Sequence, residues 1–195
     1  MFLWYIVWNM DEITILYKLV DGGKVPVKLN DVTDAGFDVY AISEPEIKGK
    51  RIIRAIDGDD ISDHNLYSSI DYIQYRTGLY IEPSDKSKVI RLDLRPRSSI
   101  SKYWLSLCNT PATIDHTYGG EILVRFRPVW QPSTMGIIQC EDGENIQFAH
   151  SLDMSKIYKK GDRICQILPE YVKNVKWVEV DEISNDRSGF GSTGK

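Results

Sequence analysis

Short runs of alternating apolar and polar positions, separated by turn residues, make up most of this chain. Residues 13–19 alternate weakly and predict a strand, closed by the turn residues Asp21, Gly22 and Gly23. Between Thr33 and Ala41, Gly36 breaks any helix, and a strand would point Phe37, Val39 and Ala41 away from Asp38 and Tyr40. Residues 77–81 and 88–94 read as strands around a Pro83-Ser84-Asp85 turn. Residues 121–126 leave the hairpin-type turn Gly119-Gly120 as another strand. A strand is predicted near residues 136–140, before the acidic turn 141–144. The turn at Gly161-Asp162 opens a further strand, with Ile164, Ile167 and Leu168 buried and Pro169 ending it. Residues 175–180 predict a final strand, and the β-branched and aromatic residues 2–8 a first one. Residues 45–75 are poorly patterned: 51–56 could form a strand and 57–60 a turn, in an insertion or a loop-and-hairpin with His64 on its surface.

With no βαβ alternation, internal repeat or composition break, residues 1–195 read as one all-β domain, a barrel or jelly roll. The chain carries 27% charged and 42% hydrophobic residues, which excludes disorder and membrane embedding. A net charge of −4 argues against broad nucleic-acid binding but leaves room for a small anionic ligand. Three cysteines, Cys108, Cys140 and Cys165, lack CxxC spacing and read as reduced thiols of a cytosol-like compartment. Residues 2–8 are too short to span a bilayer and lack the basic start and cleavage site of a signal peptide.

Chemistry concentrates in four places. Residues 108–126 predict two strands folded back on each other, with Asp115 on one arm and Tyr118 near the tip. Such a hairpin makes a narrow pocket of backbone donors and acceptors beside a carboxylate and a ring. Asp38 reads either as a solvated strand-edge acid or as a functional one. After Pro96, Ser98 or Ser99 can cap a short helix; with Arg97 alongside, this is a ready anion site or a plain cap with a surface Arg. The glycine-rich tail 185–195 formally spells G-x-x-x-x-G-K, but the Ser/Thr and helix that a phosphate-binding P-loop requires do not follow. Its glycines could still form an anion nest with Ser192 and Thr193, and Phe190 could stack on a base; the alternative is a disordered polar tail. The 57–60 acids lack calcium-loop spacing, and nothing marks His150 as a base.

Taken in order, DAGFDVYA, PRSSIS, ATIDHTYGG, GDRICQIL and RSGFGSTGK resemble the five motifs of trimeric deoxyuridine triphosphatases (dUTPases), from residue 34 to the C-terminus. The resemblance implies the family's distorted jelly-roll or β-clip barrel, with one short helix, a C-terminal strand and a glycine-rich arm. It also implies Mg2+-assisted hydrolysis of dUTP to dUMP and pyrophosphate, in sites shared among three subunits. Carried over by position, Asp38 would hold the hydrated Mg2+, and Asp115 would orient and deprotonate the attacking water. Arg97, Ser98 and Ser99 would contact the phosphates, Ser98 near the bridging oxygen of the α-phosphate, with Gln166 by the phosphates and water. Asn109 and the hairpin backbone, Ile114 included, would read uracil, and Tyr118 would lie beneath the deoxyribose and exclude a 2′-hydroxyl. Phe190 would close over the base while Arg187, Gly191, Ser192 and Thr193 wrap the γ-phosphate.

The chain departs from the pattern in four places. Ser99 stands for Gly, Ala112-Thr113 for Gly-Val and Gly119 for Arg, while Arg187 lies three rather than five residues before Phe190. Extra sequence falls near 48–72 and 130–155, the second of a kind seen in some phage or viral members, and could carry a protein-partner surface. The resemblance places the chain in the cytoplasm, or in a host cell's cytoplasm or nucleus for a viral member. Two rivals remain: a dCTP deaminase of the same fold, and a dUTP-binding regulatory protein. Arg125 occupies the position where the deaminase needs a proton-shuttling Glu.

Overall fold

The computed structural model describes residues 13–52, 64–87, 89–139 and 146–179. The expectations for residues 2–8, 53–60, 140–144 and the tail 185–195 lie outside these. Twelve strands run in chain order: β1 (Ile15–Leu19), β2 (Phe37–Tyr40), β3 (Glu46–Ile52), β4 (Leu66–Arg76), β5 (Leu79–Pro83) and β6 (Ile90–Arg95), then β7 (Leu105–Leu107), β8 (Ala112–Ile114), β9 (Leu123–Pro128), β10 (Met135–Gln139), β11 (Ile146–Ser151) and β12 (Arg163–Tyr171). Every pairing between them is antiparallel, in accord with the all-β expectation.

Three sheets form: β1–β5; the path β10-β11-β4-β9-β7 with β3 also on β4; and β2-β12-β6-β8. Their inward faces meet in one cluster that includes Val39, Leu92, Leu94, Cys165 and Ile167 from the third sheet. Ile73, Tyr75, Val124 and Phe126 enter it from the second. At its centre, the Tyr158 ring packs against Tyr103, Phe126 and Tyr75, with centroids 4.2, 5.3 and 6.4 Å away. The Tyr75 hydroxyl donates to the Tyr158 carbonyl at 2.9 Å, which satisfies two groups the core would otherwise strand.

The described parts of the poorly patterned segment 45–75 are mostly strand, β3 and β4. β4 has β3 along one edge and β11 followed by β9 along the other. The extra stretches near 48–72 and 130–155 therefore pair with each other, Tyr67 opposite His150 and Leu66 opposite Ser151. Two register shifts bend β3, and at Gly49 a Cβ would run into the Ser69 carbonyl, so the bulge needs glycine there.

Four local expectations change. The turn after Pro96 is a five-residue 3-10 helix, Ser98–Lys102, entered from Arg97 with no side-chain cap, so neither Ser98 nor Ser99 is the cap. Both serines sit inside the turn, and Ser99 Oγ is engaged by Arg97. Pro169 does not end its strand; β12 continues to Tyr171. β2 accompanies β12 only as far as Ile167, so at Pro169 one edge is open and a missing N–H is tolerated. Ile164 and Ile167 are buried as expected, whereas Leu168 faces the other side and is half-buried. Residues 175–179 form no strand, and Trp177 is 92% exposed: the segment has the strand pattern but no partner among the described residues of its own chain.

Truncating the central ring measures how tightly this core is packed. Phe126→Ala should lower unfolding free energy by about 3–5 kcal/mol, and Tyr75→Phe, which leaves the Tyr158 carbonyl unpaired, by about 1–2 kcal/mol. Urea denaturation at fixed protein concentration reads both, and a cost below that of Tyr75→Phe for the Phe126 variant would mean a loosely filled centre.

Candidate active site

The sheet β2-β12-β6-β8 buries one face in the core and turns the other outward. Cross-strand register places Asp38, Gln166 and Arg95 in one row of that outer face. Leu168, Asp93 and Thr113 form the row two residues along. Asp38 is 8% exposed, so the solvated strand-edge reading fails. Its Oδ1 accepts from Arg97 Nε at 2.7 Å and its Oδ2 from Arg163 Nη1 at 3.0 Å. Both of its oxygens are thus matched by guanidinium donors, which offsets the cost of burying a carboxylate.

Arg97 also donates from Nη1 to Ser99 Oγ at 3.3 Å, which fixes the plane of its fork. Ser98 is exposed beside it. Gln166 Nε2 donates to the Pro96 carbonyl at 3.3 Å and holds the loop that carries Arg97. A Cβ at Gly36 would stand 2.8 Å from Gln166 Oε1, so the bare backbone of Gly36 makes room for that side chain. Behind the row, burial pushes the Tyr158 phenol up to about 12 and holds the Cys165 thiol far above its ordinary range. Neither ionises near neutrality, and Cys165 packs as an apolar group rather than a nucleophile.

The two arms predicted within 108–126 do not pair with each other. β8 joins β6 at the other end of the sheet that carries Asp38, whereas β9 joins β4 and β7 in the second sheet. The hairpin is therefore the β7–β9 pair, and β8 with Asp115 lies inside its long loop. β7 leads through Cys108 into Asn109, which takes a left-handed φ of 53°, and the Thr110 hydroxyl donates to the Leu107 carbonyl at 2.6 Å. β8 pairs with β6, and the Thr113 hydroxyl donates to the buried Asp93 at 2.9 Å. Asp115 follows one residue past β8 and is exposed. The Tyr118 N–H donates to the Asp115 carbonyl at 3.0 Å, and the Tyr118 hydroxyl to the Glu121 carbonyl at 2.8 Å. His116 to Gly119 wall one side of a cleft of about 700 Å³ whose other side is β1 and β5.

The predicted residues thus fall into two groups. Asp38, Arg97, Ser99 and Gln166, with Ser98 beside them, gather at one end of the outer face. Asn109, Ile114, Asp115 and Tyr118 gather on the hairpin. Arg187, Phe190, Gly191, Ser192 and Thr193 lie outside the described residues. Within one chain the two groups stay apart. Asp38 and the hairpin are three strand spacings apart, and Asp115 continues the β6–β8 register opposite Arg91, four residues along from Arg95. At about 4.8 Å per strand and 3.3 Å per residue, Asp38 and Asp115 are roughly 19 Å apart.

Sequence reasoning missed Arg163, although it lies inside the quoted GDRICQIL; a bulge between Arg163 and Cys165 defeats the alternation that would have paired it with Asp38. It also missed Glu121, whose only signal was a carboxylate directly after two glycines. Arg125 donates to Gln74 at 2.8 Å and covers the Tyr72 ring at 4.3 Å, a cation engaged in a cross-strand ladder. His150 stacks on Trp130 at 4.1 Å, within the added strands. Among the described residues, no three His, Cys, Asp or Glu side chains group to hold a metal, and no helix is long and apolar enough to cross a membrane.

No family model matches the chain. A deoxyuridine 5′-triphosphate nucleotidohydrolase of Trichodesmium erythraeum is 32% identical over 165 residues, which cover 83% of this chain and 84% of that protein. One from Finegoldia magna is 28% identical over 182 residues, covering 91% and 97%. Among solved structures, the dUTPase of Staphylococcus bacteriophage 80alpha with dUPNHPP superposes with a TM-score of 0.56 at 18% identity, covering 93% of this chain and 98% of that one. The dUTPase from phage phi11 of S. aureus, solved to visualise its species-specific insert, gives 0.53 at 17% identity over 88% and 98%. A mutant of the same phi11 enzyme is described as coordinating a structural Mg(II) ion. The five motifs, the antiparallel framework that arranges them and the extent of the sequence match together place this chain in the deoxyuridine 5′-triphosphate nucleotidohydrolase family, the dUTP diphosphatases.

Proposed function

We propose that this dUTP diphosphatase works as a trimer of single-domain chains, with the hairpin acid of one copy acting on a triphosphate held by the Asp38–Arg97 group of another. The observation that carries this reading is the roughly 19 Å between the two groups on one chain, too far for both to serve the same phosphorus. Both groups share one outward sheet face, so a neighbouring copy packed on that face brings a foreign Asp115 beside Arg97. The strand-patterned segment 175–179, exposed and unpaired in its own chain, supplies further material for such an assembly.

In this arrangement the narrow hairpin, with Asn109 and the backbone to Ile114, reads the hydrogen-bonding edge of uracil. Cytosine would leave buried groups unpaired. Tyr118 lies beneath the deoxyribose. Arg97, Ser98, Ser99 and Gln166 hold the phosphates, and Arg187, Phe190, Gly191, Ser192 and Thr193 close over the nucleotide and exclude bulk water. Asp115 accepts a proton from one ordered water as its oxygen attacks the α-phosphorus. The bond from that phosphorus to the oxygen bridging to the β-phosphate breaks, releasing dUMP and pyrophosphate.

Mg2+ fits this site as a hydrated ion that arrives with the substrate rather than as a protein-held one. Asp38 is the carboxylate of the phosphate group of residues, and each of its oxygens keeps one further acceptor position after its guanidinium bond. When bound, the ion spreads the triphosphate charge. Arg125, engaged with Gln74 and Tyr72, leaves no acid at the deaminase position and disfavours that rival. The free thiols Cys108 and Cys165 support a reducing, cytoplasmic setting. The paired strands from 48–72 and 130–155 offer a surface on which a protein partner could act in addition to catalysis.

Asp115→Asn should retain dUTP binding while kcat falls at least about 100-fold; pyrophosphate release beside calorimetric binding reads both, and near-normal turnover would move the base elsewhere. Asp38→Asn should destabilise the protein by about 3 kcal/mol, because two guanidinium groups then face each other without a counter-charge. The same substitution should raise the Mg2+ concentration needed for half-maximal turnover. An unchanged melting temperature would show that Arg97 and Arg163 find other acceptors. Analytical ultracentrifugation should give a trimer, and a fully active monomer would contradict the shared site.

A further inference from the structure

Glu121 opens the return arm of the hairpin, immediately after Gly119-Gly120, and its side chain is 12% exposed. Its Oε2 accepts from Arg76 Nε at 3.1 Å and Arg76 Nη2 at 3.0 Å, and its Oε1 accepts from the Gly78 N–H at 2.8 Å. Gly78 has a left-handed φ of 64°, and a Cβ there would run into the Val20 carbonyl, so the donor sits on a backbone that only glycine can supply. Arg76 Nη2 donates to Asp21 as well, at 2.6 Å, so the same guanidinium ties in the turn after β1. Two more bonds lock the arm behind Glu121: Thr77 Oγ1 to the Ile122 carbonyl at 2.7 Å, and the Ile122 N–H to the Leu79 carbonyl at 2.9 Å. The Glu121 peptide is therefore among the most constrained of the hairpin, although the tip beside it is open to solvent.

That peptide has one acceptor facing the tip, and Tyr118 uses it. The Tyr118 side chain is 44% exposed, and its hydroxyl donates to the Glu121 carbonyl at 2.8 Å. The ring lies against Gly120, where a Cβ would meet Tyr118 Oη at 2.7 Å, so the bare glycine lets the ring lie flat across the turn. An exposed Tyr without such a tether would sample other staggered rotamers and sweep through several ångströms.

We propose that Glu121 is a positioning residue for discrimination against ribonucleotides. Held by Arg76 and Gly78, it presents its own carbonyl where that carbonyl fixes the Tyr118 ring against the sugar, and the fixed ring leaves no space for a 2′-hydroxyl. This rests on the reading that Tyr118 packs beneath the deoxyribose. Steric rejection of one oxygen atom depends on placement finer than an ångström, so the tether, and not the ring alone, carries the selectivity.

The test compares kcat/KM for dUTP and UTP in Tyr118→Ala, Tyr118→Phe, Glu121→Ala, Glu121→Gln and Arg76→Met, each with its melting temperature. Glu121→Ala should lower the dUTP-to-UTP preference about tenfold, the loss expected for a positioning hydrogen bond. Tyr118→Phe, which removes the tether itself, should give a fall at least as large, and Glu121→Gln should recover part of the loss because it keeps an acceptor for the Gly78 N–H. A Glu121→Ala enzyme with a lower melting temperature but unchanged preference, beside a Tyr118→Ala enzyme that accepts UTP, would overturn the proposal and leave the reading of Tyr118 standing. A Tyr118→Ala enzyme that still rejects UTP would overturn both. If Glu121→Ala does not fold, Arg76→Met decides: a fall in preference supports the tether, and an unchanged preference overturns it.

Discussion

The site depends first on a buried carboxylate shared by two guanidinium groups. Asp38 comes from β2, Arg97 from the loop after β6, and Arg163 from the start of β12, so one acid joins three segments that are distant in sequence. Burying that acid alone would cost several kcal/mol, and burying either arginine without it would cost as much. Each partner therefore makes the other tolerable. The functional consequence lies in what is left over. Arg97 uses Nε on Asp38 and Nη1 on Ser99, and a guanidinium has five N–H donors in a fixed plane. In the proposed site the remaining donors would meet a phosphate from a side chain already held in place, so little side-chain entropy would be lost on binding.

The hairpin is rigid for different reasons. Its outgoing arm is held by β6 and by the Thr113–Asp93 bond, its return arm by Glu121 on Arg76 and Gly78. Between these anchors, Asp115 and Tyr118 remain accessible. Both functional groups thus ride on the same sheet, one at each end, with their relative geometry set by strand spacing rather than by loop flexibility. A distance fixed in this way cannot be closed by local motion, and this is the physical ground of the proposal that more than one copy of the chain builds each site.

What could be read in the sequence, and what could not, follows from the range of the interactions. The turn at Asp21-Gly22 and the strand at Asp38 are local patterns, and they appear where alternation and turn chemistry put them, whereas the Asp115 arm finds its partner in β6 rather than across Gly119-Gly120. The pairing of Tyr67 with His150 joins residues more than eighty positions apart, and no local pattern in 45–75 encodes that partner. Pro169 misled because its effect depends on whether its edge is paired, a property of β2's length rather than of β12. Residues 175–179 misled in the opposite sense: alternation predicts a strand but not whose edge completes it. Among the site residues, local pattern marked Asp38 and Arg97 as open alternatives, and the motif resemblance gave them roles. Arg163 was hidden by a one-residue bulge that turns its side chain toward an acid 125 positions away.

Charge on the outer face explains how a chain of net charge −4 can serve a polyanionic substrate. Arg91 pairs with Glu170 at 2.8 Å, Arg95 lies 3.5 Å from Asp93, and Arg97 and Arg163 share Asp38. With Asp115 on the same face, four guanidinium groups meet four carboxylates, leaving no net charge among them. Such near-balance allows copies of the face to approach one another without the repulsion that bare arginines would impose. It also means that the face cannot neutralise a triphosphate by itself. In the proposed site the deficit is met by donors that carry no net charge, such as the Ser98 and Ser99 hydroxyls and backbone amides, and by a cation that arrives with the nucleotide. In the proposed assembly such a face would hold its substrate weakly until every contributor is present, which would confine cleavage to the complete complex.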